Sequence, residues 1–254
     1  MLNYTMETNH IYKPWIPKNS YETKKHPSGV YESDHMNSVE LPEITINLKL
    51  KPYSSDFENS ISDVQMEAIS YAINTMYDEQ SIKNYSRGFF LGDGTGVGKS
   101  RSIAGILCEL WNIEPIKYRA VWISLNKNLE YDAHNEYKLV KSLGNDSAQW
   151  LTLKDVKNDK NGILFTTYGS LIRTETSNIV YEWLRNSENV TIIFDEAHMA
   201  KNSKSLTGKM VLEIQNLNIN PKIVYSTATA ASDVRQMHYM TPVSYTHLTL
   251  PTIL

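Results

Sequence analysis

A glycine-rich turn between an apolar strand and an amphipathic helix constrains the fold of this chain more than any other feature. Residues 91–100 read Leu-Gly-Asp-Gly-Thr-Gly-Val-Gly-Lys-Ser and follow two phenylalanines. A turn of this composition directs backbone N–H groups at phosphate oxygens, and the positive end of the next helix adds to the attraction. The sequence therefore predicts a phosphate-binding loop inside a strand-turn-helix unit.

The end of this turn carries the side chains that phosphate chemistry needs. Lys99 is expected to reach the β- and γ-phosphates, and the Ser100 hydroxyl is expected to bind Mg²⁺. The usual spacing has a glycine where this chain has Asp93, so a glycine-rich turn without a ligand is the alternative. The remaining glycines allow positive φ angles, and the order of strand, turn, Gly-Lys-Ser and helix favours the phosphate site.

A second motif lies about a hundred residues further along. The apolar run 190–194 ends in Asp195 and Glu196, followed by Ala197 and His198. An aspartate at such a strand end can hold Mg²⁺, and a glutamate beside it can activate water. The two motifs in this order predict an ATPase that uses ATP and Mg²⁺, with Lys99, Asp195 and Glu196 as catalytic residues.

Short apolar runs separated by helical stretches indicate the fold class. The runs lie at 120–125, 163–167, 190–194 and 223–226, and a first helix is expected near 62–77. Continuous apolar strands that alternate with helices predict an α/β domain with a mostly parallel sheet and helices on both faces. Ligands of such folds bind at the carboxyl edge of the sheet, where both motifs would lie.

Composition excludes several other classes of protein. The net charge of the 254 residues is −3, so a nucleic-acid partner would need a local basic surface. The single cysteine, Cys108, rules out an internal disulfide and a cysteine-based metal site, which fits a reducing compartment. The N-terminus lacks the apolar core of a signal peptide, and no apolar run reaches membrane-spanning length. We therefore expect a cytoplasmic protein without a membrane partner.

Four further side chains are candidates on position alone. Gln65 on the first helix can pair with the adenine edge and select ATP, or it can be a solvated helix residue. Thr227 and Thr229 follow the last apolar strand, where hydroxyl groups can sense the γ-phosphate. Threonines are common in strands, so this signal is weak by itself. His198 can relay that contact to the acids.

Lysines near these motifs are candidates for a surface that follows a nucleic-acid backbone; the alternative is solvated helix and loop faces. They are Lys138, Lys141, Lys154, Lys157, Lys160, Lys201, Lys204 and Lys209.

The ordered motifs resemble those of Strawberry notch-type proteins, a branch of the superfamily 2 helicases. The similarity runs from about residue 12 to 240. That branch also has an aspartate at the position of Asp93, whereas it typically has Lys-Gly where this chain has Lys99-Ser100. The matching segments are 92–106, 131–133, 164–168, 195–202 and 228–235, together with 26–42 of the lead-in.

The resemblance implies a RecA-like P-loop NTPase domain over 51–241, preceded by an irregular extension over 1–50. We expect that extension to lie over the domain through its aromatic residues, Tyr12, Trp15, Tyr21 and Tyr31. His198, Thr227 and Thr229 are expected to couple nucleotide state to DNA binding. The expected nucleotide-binding residues are Gln65, Gly94, Thr95, Gly96, Val97, Gly98, Lys99, Ser100 and Arg101, with Ser100 and Asp195 as Mg²⁺ ligands.

A superfamily 2 motor closes two RecA-like domains over ATP, and this chain has the motifs of the first. We expect the chain alone to bind Mg-ATP weakly and to hydrolyse it very slowly, because an arginine from the second domain contributes about 10³ to 10⁵ in rate. The expected partner of the complete protein is nucleic acid, in particular DNA. One alternative is a nucleotide-gated regulatory module without motor activity; another is a P-loop kinase or transferase, for which no acceptor site stands out.

The last residues depart from the family pattern. Residues 242–254 resemble translated sequencing-adaptor sequence, which predicts a non-native tail; a native edge strand is the alternative. Residue usage rich in Asn, Lys, Tyr and Ile suggests AT-rich coding, and therefore a bacterial or phage-infected host cell.

Overall fold

The computed structural model describes residues 12–33, 38, 40–51, 61–77, 88–94, 96–142, 148–217, 219–228 and 239–240. The strands in these ranges are β1 (Tyr12–Pro14), β2 (Tyr31–Ser33), β3 (Gly88–Leu91), β4 (Arg119–Ser124), β5 (Trp150–Leu151), β6 (Gly162–Thr167), β7 (Val190–Asp195) and β8 (Lys222–Ser226). The α-helices are α1 (Asp63–Tyr77), α2 (Lys99–Ile113), α3 (Leu129–Lys141), α4 (Leu153–Lys157), α5 (Tyr168–Leu171), α6 (Thr174–Arg185) and α7 (Leu206–Gln215); a 3₁₀ helix spans Ala197–Ala200. None of the described helices is long and apolar enough to cross a membrane.

Six strands form one parallel sheet in the order β3-β8-β7-β4-β6-β5. Each predicted apolar run is one of these strands. The two-residue strand β5 at the edge was not anticipated, because Trp150–Leu151 is too short to give a periodic pattern. The α/β prediction with a parallel sheet is confirmed.

The strands bury alternate residues on opposite faces of the sheet. Ala120 and Trp122 of β4 pack in one hydrophobic cluster with α1, α2 and α3. Val121 and Ile123, the neighbours in sequence, pack in a second cluster with α4 to α7. Since side chains alternate along a strand, an uninterrupted apolar run covers both layers. The expected helices on both faces are confirmed.

The N-terminus of α1 is held by a side chain of its own first turn. Ser62 occupies the N-cap position, but its hydroxyl makes no hydrogen bond to any described residue. The side chain of Gln65 instead accepts a hydrogen bond from the backbone N–H of Ser62, at 3.0 Å. This is the reverse half of a capping box, in which the third helical residue reaches back to the N-cap.

Polar side chains of two helices fasten the extension to the domain. Asn74 Oδ1 accepts the backbone N–H of Thr45 at 2.9 Å. The two carboxylate oxygens of Glu109 accept the N–H groups of Lys49 and Leu50, both at 2.7 Å. Residues 40–51 are therefore held by these hydrogen bonds together with apolar packing on the core, in which Leu50 is buried.

The aromatic residues of the extension divide into two groups. Tyr12 and Tyr31, in the antiparallel β1–β2 pair, are about half exposed. Trp15 and Tyr21 pack against apolar side chains of the domain. Among the described residues, packing on the domain is therefore found for Trp15 and Tyr21, whereas a contact of Tyr12 and Tyr31 with the domain stays a prediction.

Candidate nucleotide-binding site

Three adjacent strands bring the two motifs to one edge of the sheet. β8 lies between β3 and β7, and Ser226 is in register with Leu91 on one side and Asp195 on the other. The backbone N–H of Thr227 also donates to the carbonyl of Leu91, at 3.2 Å. Two strand spacings amount to about 10 Å, which is the scale of a triphosphate with its metal ion.

The phosphate loop leaves β3 and enters α2 through two glycines in the left-handed region. Gly96 has φ +93° and Gly98 has φ +81°. A Cβ at Gly98 would lie 2.5 Å from Nε2 of Gln65, whereas a Cβ at Gly96 would meet nothing within 4 Å. Thr95 lies outside the described residues. Residues in the left-handed region turn successive backbone N–H groups toward one side, and such a concave group of N–H donors binds anions.

Lys99, the first residue of α2, folds back over this loop. Its ammonium group donates to the carbonyl oxygens of Asp93, at 2.9 Å, and Gly94, at 3.1 Å. Lys99 and Ser100 are both partly exposed in the first turn of the helix. The cationic group and the positive end of α2 thus lie at the same place, which is the arrangement that fits a phosphate.

Gln65 connects α1 to the loop and is buried, with 5% of its surface exposed. Its Nε2 donates to the carbonyl of Val97 at 2.8 Å, in addition to the Oε1 contact with Ser62. The interpretation of Gln65 as a solvated helix residue is wrong. Ser62 followed three residues later by Gln65 is a capping-box pattern that points to this contact from the sequence. The adenine contact stays a prediction.

Asp93 lies under the loop and is 5% exposed. Burial raises the pKa of its carboxyl to about 6, against the opposing effect of the Lys99 ammonium. Its Oδ2 has no hydrogen-bond partner among the described residues. The sequence marks Asp93 only as a departure from the usual spacing, because burial depends on how α1 covers β3.

The carboxylate of Asp195 is oriented by two neighbours. Ser124 Oγ, at the end of β4, donates to Oδ2 at 2.9 Å, and the backbone N–H of Glu196 donates to Oδ1 at 3.1 Å. Burial raises the pKa of Asp195, while the bond from Ser124 lowers it. Tyr168 donates its hydroxyl to the Asp195 carbonyl at 2.8 Å. Neither Ser124 nor Tyr168 was singled out in the sequence, although Ser124 is the polar end of an apolar run.

Glu196 adopts a backbone conformation that is rare for its residue type. Its φ is +53° and its ψ is +47°, in the left-handed region. Glu196 Oε2 lies 3.2 Å from Nδ1 of His198, and the same nitrogen lies 3.1 Å from Oγ1 of Thr227. His198 thus joins the acidic motif to the end of β8. Thr229 lies outside the described residues.

Arg101 projects from α2 toward α3. Its guanidinium forms a bidentate pair with Glu136, with Nε–Oε2 at 2.6 Å and Nη2–Oε1 at 3.2 Å. The contact of Arg101 with nucleotide stays a prediction, and it would compete with this ion pair.

The candidate lysines do not share one layer of the fold. Lys138 and Lys141 belong to α3, on one side of the sheet, whereas Lys154 and Lys157 belong to α4 on the other. Lys160 is paired with Asp155 at 2.7 Å. The lysines of α3 and α4 therefore lie on opposite layers of the sheet, and a common surface of all eight lysines stays a prediction.

The few protein oxygens near Asp195 suit Mg²⁺ better than they suit a metal ion that takes all its ligands from the protein. The described residues contain no group of three or more His, Cys, Asp or Glu side chains that could hold a metal ion. Mg²⁺ commonly takes one or two protein oxygens and completes its shell with phosphate oxygens and water. Ser100 and Asp195 are two side-chain oxygens that this edge of the sheet offers, and their role as Mg²⁺ ligands stays a prediction.

Comparison with known proteins identifies the family. A family model described as P-loop containing NTP hydrolase pore-1 matches residues 25–246. The chain belongs to this family. The match includes the phosphate loop, the acidic motif and the second half of the extension. It ends five residues inside the predicted non-native tail, which lies outside the described residues.

The relatives of this family member confirm the resemblance to Strawberry notch proteins. The mouse protein strawberry notch homolog 2 is 35% identical over 249 residues, which are 93% of this chain and 18% of the relative. The human protein strawberry notch homolog 1 is 34% identical over 239 residues, 85% of this chain and 17% of the relative. The Arabidopsis thaliana protein FORGETTER 1 is 34% identical, with 85% and 18% covered.

The chain thus spans less than a fifth of the length of these relatives. They come from animals and a plant, so they do not support the bacterial or phage setting expected from residue usage.

The fold of this chain is also similar to that of a solved structure. The Sulfolobus solfataricus SWI2/SNF2 ATPase core, determined in complex with dsDNA, matches 81% of this chain and 38% of its own, with a TM-score of 0.50 and 16% identity. At that identity the likeness concerns the fold, and it confirms the RecA-like α/β prediction.

Proposed function

We propose that this chain is the ATP-binding and ATP-hydrolysing first RecA-like domain of a Strawberry notch-like superfamily 2 helicase or DNA translocase. The observation that carries the proposal is the adjacency of β3, β8 and β7. It puts the phosphate loop, Thr227 and Asp195 at neighbouring strand ends.

In this proposal the loop binds the phosphates of ATP. The N–H groups around Gly96 and Gly98 and the end of α2 surround the phosphate oxygens. The Lys99 ammonium exchanges its bonds to the carbonyls of Asp93 and Gly94 for bonds to the β- and γ-phosphates. Because charge-assisted bonds to phosphate are stronger than bonds to neutral carbonyls, this exchange favours the bound state.

Ser100 and Asp195 would hold Mg²⁺, which neutralises charge on the β- and γ-phosphates when bound. Ser124 and the Glu196 N–H keep the Asp195 carboxylate turned toward the edge of the sheet. Glu196 accepts a proton from the attacking water, whose oxygen bonds to the γ-phosphorus as the bond to the β–γ bridging oxygen breaks. ADP and phosphate are the products.

The proposed partners are nucleic acid and a second domain. The Sulfolobus solfataricus ATPase core was determined with dsDNA, and we propose nucleic acid, in particular DNA, for this family member. We also propose a second RecA-like domain that supplies an arginine to the γ-phosphate. His198 and Thr227, with Thr229, then transmit nucleotide state to the DNA-binding surfaces.

Nucleotide binding is tested first with the 254-residue chain. Isothermal titration calorimetry with Mg-ATP compares the wild type, Lys99→Ala and Glu196→Gln. We expect Lys99→Ala to weaken binding by about a hundredfold, since a charge-assisted contact contributes about 1.5 to 3 kcal/mol. Glu196→Gln keeps the side-chain size and should leave affinity within about threefold. Equal affinity for wild type and Lys99→Ala would refute the nucleotide site.

The motor role is tested in the protein encoded by the native gene, read past codon 240 from the source DNA. A second RecA-like domain with an arginine motif, and ATP hydrolysis that DNA accelerates and Glu196→Gln abolishes, would support the helicase or translocase. ATP hydrolysis that DNA does not change would favour the nucleotide-gated regulatory module instead.

A further inference from the structure

A small apolar cluster lies apart from the two main cores, against the phosphate loop. Val64 of α1 and Val97 of the loop are buried in it, and Trp15 and Val30 of the extension pack on them. Val97 stands between the two positive-φ glycines and is only 6% exposed. Because Val97 is part of the loop and is buried in this cluster, the conformation of the loop depends on the residues of the extension that pack there.

Hydrogen bonds hold the covering segment in place, from Tyr12 to Ser33. We call this segment the strap. The N–H of Trp15 donates to the carbonyl of Val30 at 2.9 Å. The N–H of Lys18 donates to Glu67 Oε2 on α1, at 2.8 Å. The strap is thus tied to itself and to α1 beside the loop.

The far end of the strap is tied to the start of the same helix. The N–H of Asp63 donates to the carbonyl of Lys24 at 2.9 Å, and the Asp63 carboxylate accepts the N–H of His26 at 3.0 Å. The strap therefore crosses the N-terminus of α1, next to Gln65.

The loop is then held from two sides at one residue. Gln65 bonds the carbonyl of Val97, and the strap covers its side chain. The flanking glycines have the greatest backbone freedom of any residue, so an unrestrained loop would lose that entropy when it closes on phosphate. A loop fixed beforehand binds more tightly, because the ordering cost does not fall on the binding step.

We propose that Trp15 is a positioning residue of the nucleotide site, which holds the phosphate loop in its binding shape by packing on the small cluster in which Val97 and Val64 are buried. This inference rests on the proposed nucleotide function. Trp15 acts through Val97 and touches no phosphate. The strap is then part of the ATP site although it lies about eighty residues before it in the chain.

Affinity and stability separate this role from simple packing. The test compares Trp15→Ala and Trp15→Phe in the 254-residue chain, with Mg-ADP and Mg-ATP affinities measured by calorimetry where each variant is folded by circular dichroism. Trp15→Ala should weaken both affinities about tenfold, and Trp15→Phe, which keeps an aromatic ring on this cluster, should stay within about threefold.

Two other residues of the extension provide matched controls. Ile16→Ala changes the neighbouring strap residue, whose side chain is 69% exposed. Ile46→Ala removes packing from the main core on the far side of α1. Both should keep wild-type affinity, even where Ile46→Ala lowers the unfolding temperature. A weakening by Ile46→Ala equal to that by Trp15→Ala would overturn the proposal, because it would trace the effect to stability.

Hydrogen exchange of the loop amides gives a second readout. Without nucleotide, residues 94–98 should exchange faster in Trp15→Ala than in the wild type or Ile46→Ala. Unchanged exchange and unchanged affinity in Trp15→Ala would overturn the proposal. If Trp15→Ala does not fold, Val30→Ala takes its place with the same two outcomes. Lys99→Ala distinguishes failure of the proposed nucleotide site from failure of the positioning role. If Lys99→Ala binds nucleotide as well as the wild type, the proposed nucleotide site is wrong. If only Trp15→Ala binds nucleotide normally, the positioning role of Trp15 is wrong and the nucleotide site stands.

Discussion

Nδ1 of His198 lies 3.1 Å from Oγ1 of Thr227, across the junction of two neighbouring strand ends. His198 follows β7 and Thr227 follows β8, so this contact joins the acidic motif to the chain that leaves the sheet. The same nitrogen lies 3.2 Å from Glu196 Oε2. A movement of Glu196 is thereby linked to β8.

The first prediction concerns this link. In the protein encoded by the native gene, His198→Ala should reduce DNA-stimulated ATP hydrolysis at least about tenfold, because coupling contacts of this kind contribute about 1–3 kcal/mol. Mg-ATP affinity should change less than about threefold, since the contacts of His198 are with Glu196 and Thr227 and not with the phosphate loop. Steady-state hydrolysis with and without DNA measures the effect, and Thr227→Val should reproduce it. Full DNA stimulation in both variants would exclude the coupling role.

The two loop glycines provide a matched pair. Gly96→Ala and Gly98→Ala both place a side chain at positive φ, which costs about 1–2 kcal/mol. Only Gly98→Ala also drives a Cβ against Nε2 of Gln65. We expect Gly98→Ala to lower the free energy of unfolding by at least about 1 kcal/mol more than Gly96→Ala, in urea titrations. Equal losses would mean that Gln65 does not pack against Gly98 in solution.

Gln65 is tested for two roles at once. Gln65→Ala removes the bonds to Ser62 and Val97, which should destabilise the chain by about 2 kcal/mol and weaken nucleotide binding. Gln65→Glu keeps an acceptor for Ser62, but it loses the donor to Val97 and buries a carboxyl group against the Val97 carbonyl, so it should weaken the loop contact at least as much. If Gln65 also contacts adenine, Gln65→Ala should weaken ATP more than GTP. Equal weakening of ATP and GTP would restrict Gln65 to holding the loop.

Glu67 predicts an unusual dependence of stability on pH. Burial raises the pKa of its carboxyl from 4.5 to about 7, against the backbone N–H groups of Lys18 and Asn19, which lower it; nearby Glu32 raises it further. The folded state therefore binds a proton that the unfolded state has released between these values. The stability from Glu67 is fully present below pH 4.5 and is lost as the pH rises through 7.

Glu67→Gln isolates that contribution, because the amide oxygen can still accept the N–H of Lys18. Relative to the wild type, the variant should gain up to about 3 kcal/mol at pH 8 and nothing at pH 4.5. Urea unfolding at pH 4.5, 6 and 8 measures the difference between variant and wild type. Titrating groups that do not interact with Glu67 contribute equally to both proteins and cancel. A difference that does not change with pH would show that Glu67 ionises normally in the folded chain.

Much of the fold and of the candidate site follows from local pattern. The phosphate loop, Asp195 and Glu196 lie in contiguous motifs whose residue order already dictates strand, turn and helix. The buried strands can be predicted from the sequence, because an uninterrupted apolar run is typical of a strand that is packed on both faces of the sheet. Helix α1 is readable from its spacing, including its first turn, where Ser62 and Gln65 form a capping pattern.

Other features arise only when distant segments meet. The order β3-β8-β7 pairs Leu91, Ser226 and Asp195, which lie far apart in the chain, and no local preference selects those neighbours. The burial of Asp93, the bond from Gln65 to Val97 and the packing of Trp15 on the loop depend on where α1 and the strap settle. Placement of the lysines on opposite layers has the same origin.

The physical reason is the range of the forces that decide each feature. Backbone conformation and amphipathic period depend on neighbours within a few residues, so the chain order at residues 91–100 and 190–198 was enough to predict a nucleotide-binding α/β domain. Strand order, buried charge and the restraint of Val97 depend on burying apolar surface between segments tens of residues apart. The gain from burying apolar surface and the cost of burying polar groups are summed over the whole domain, so these features are seen only in the tertiary structure.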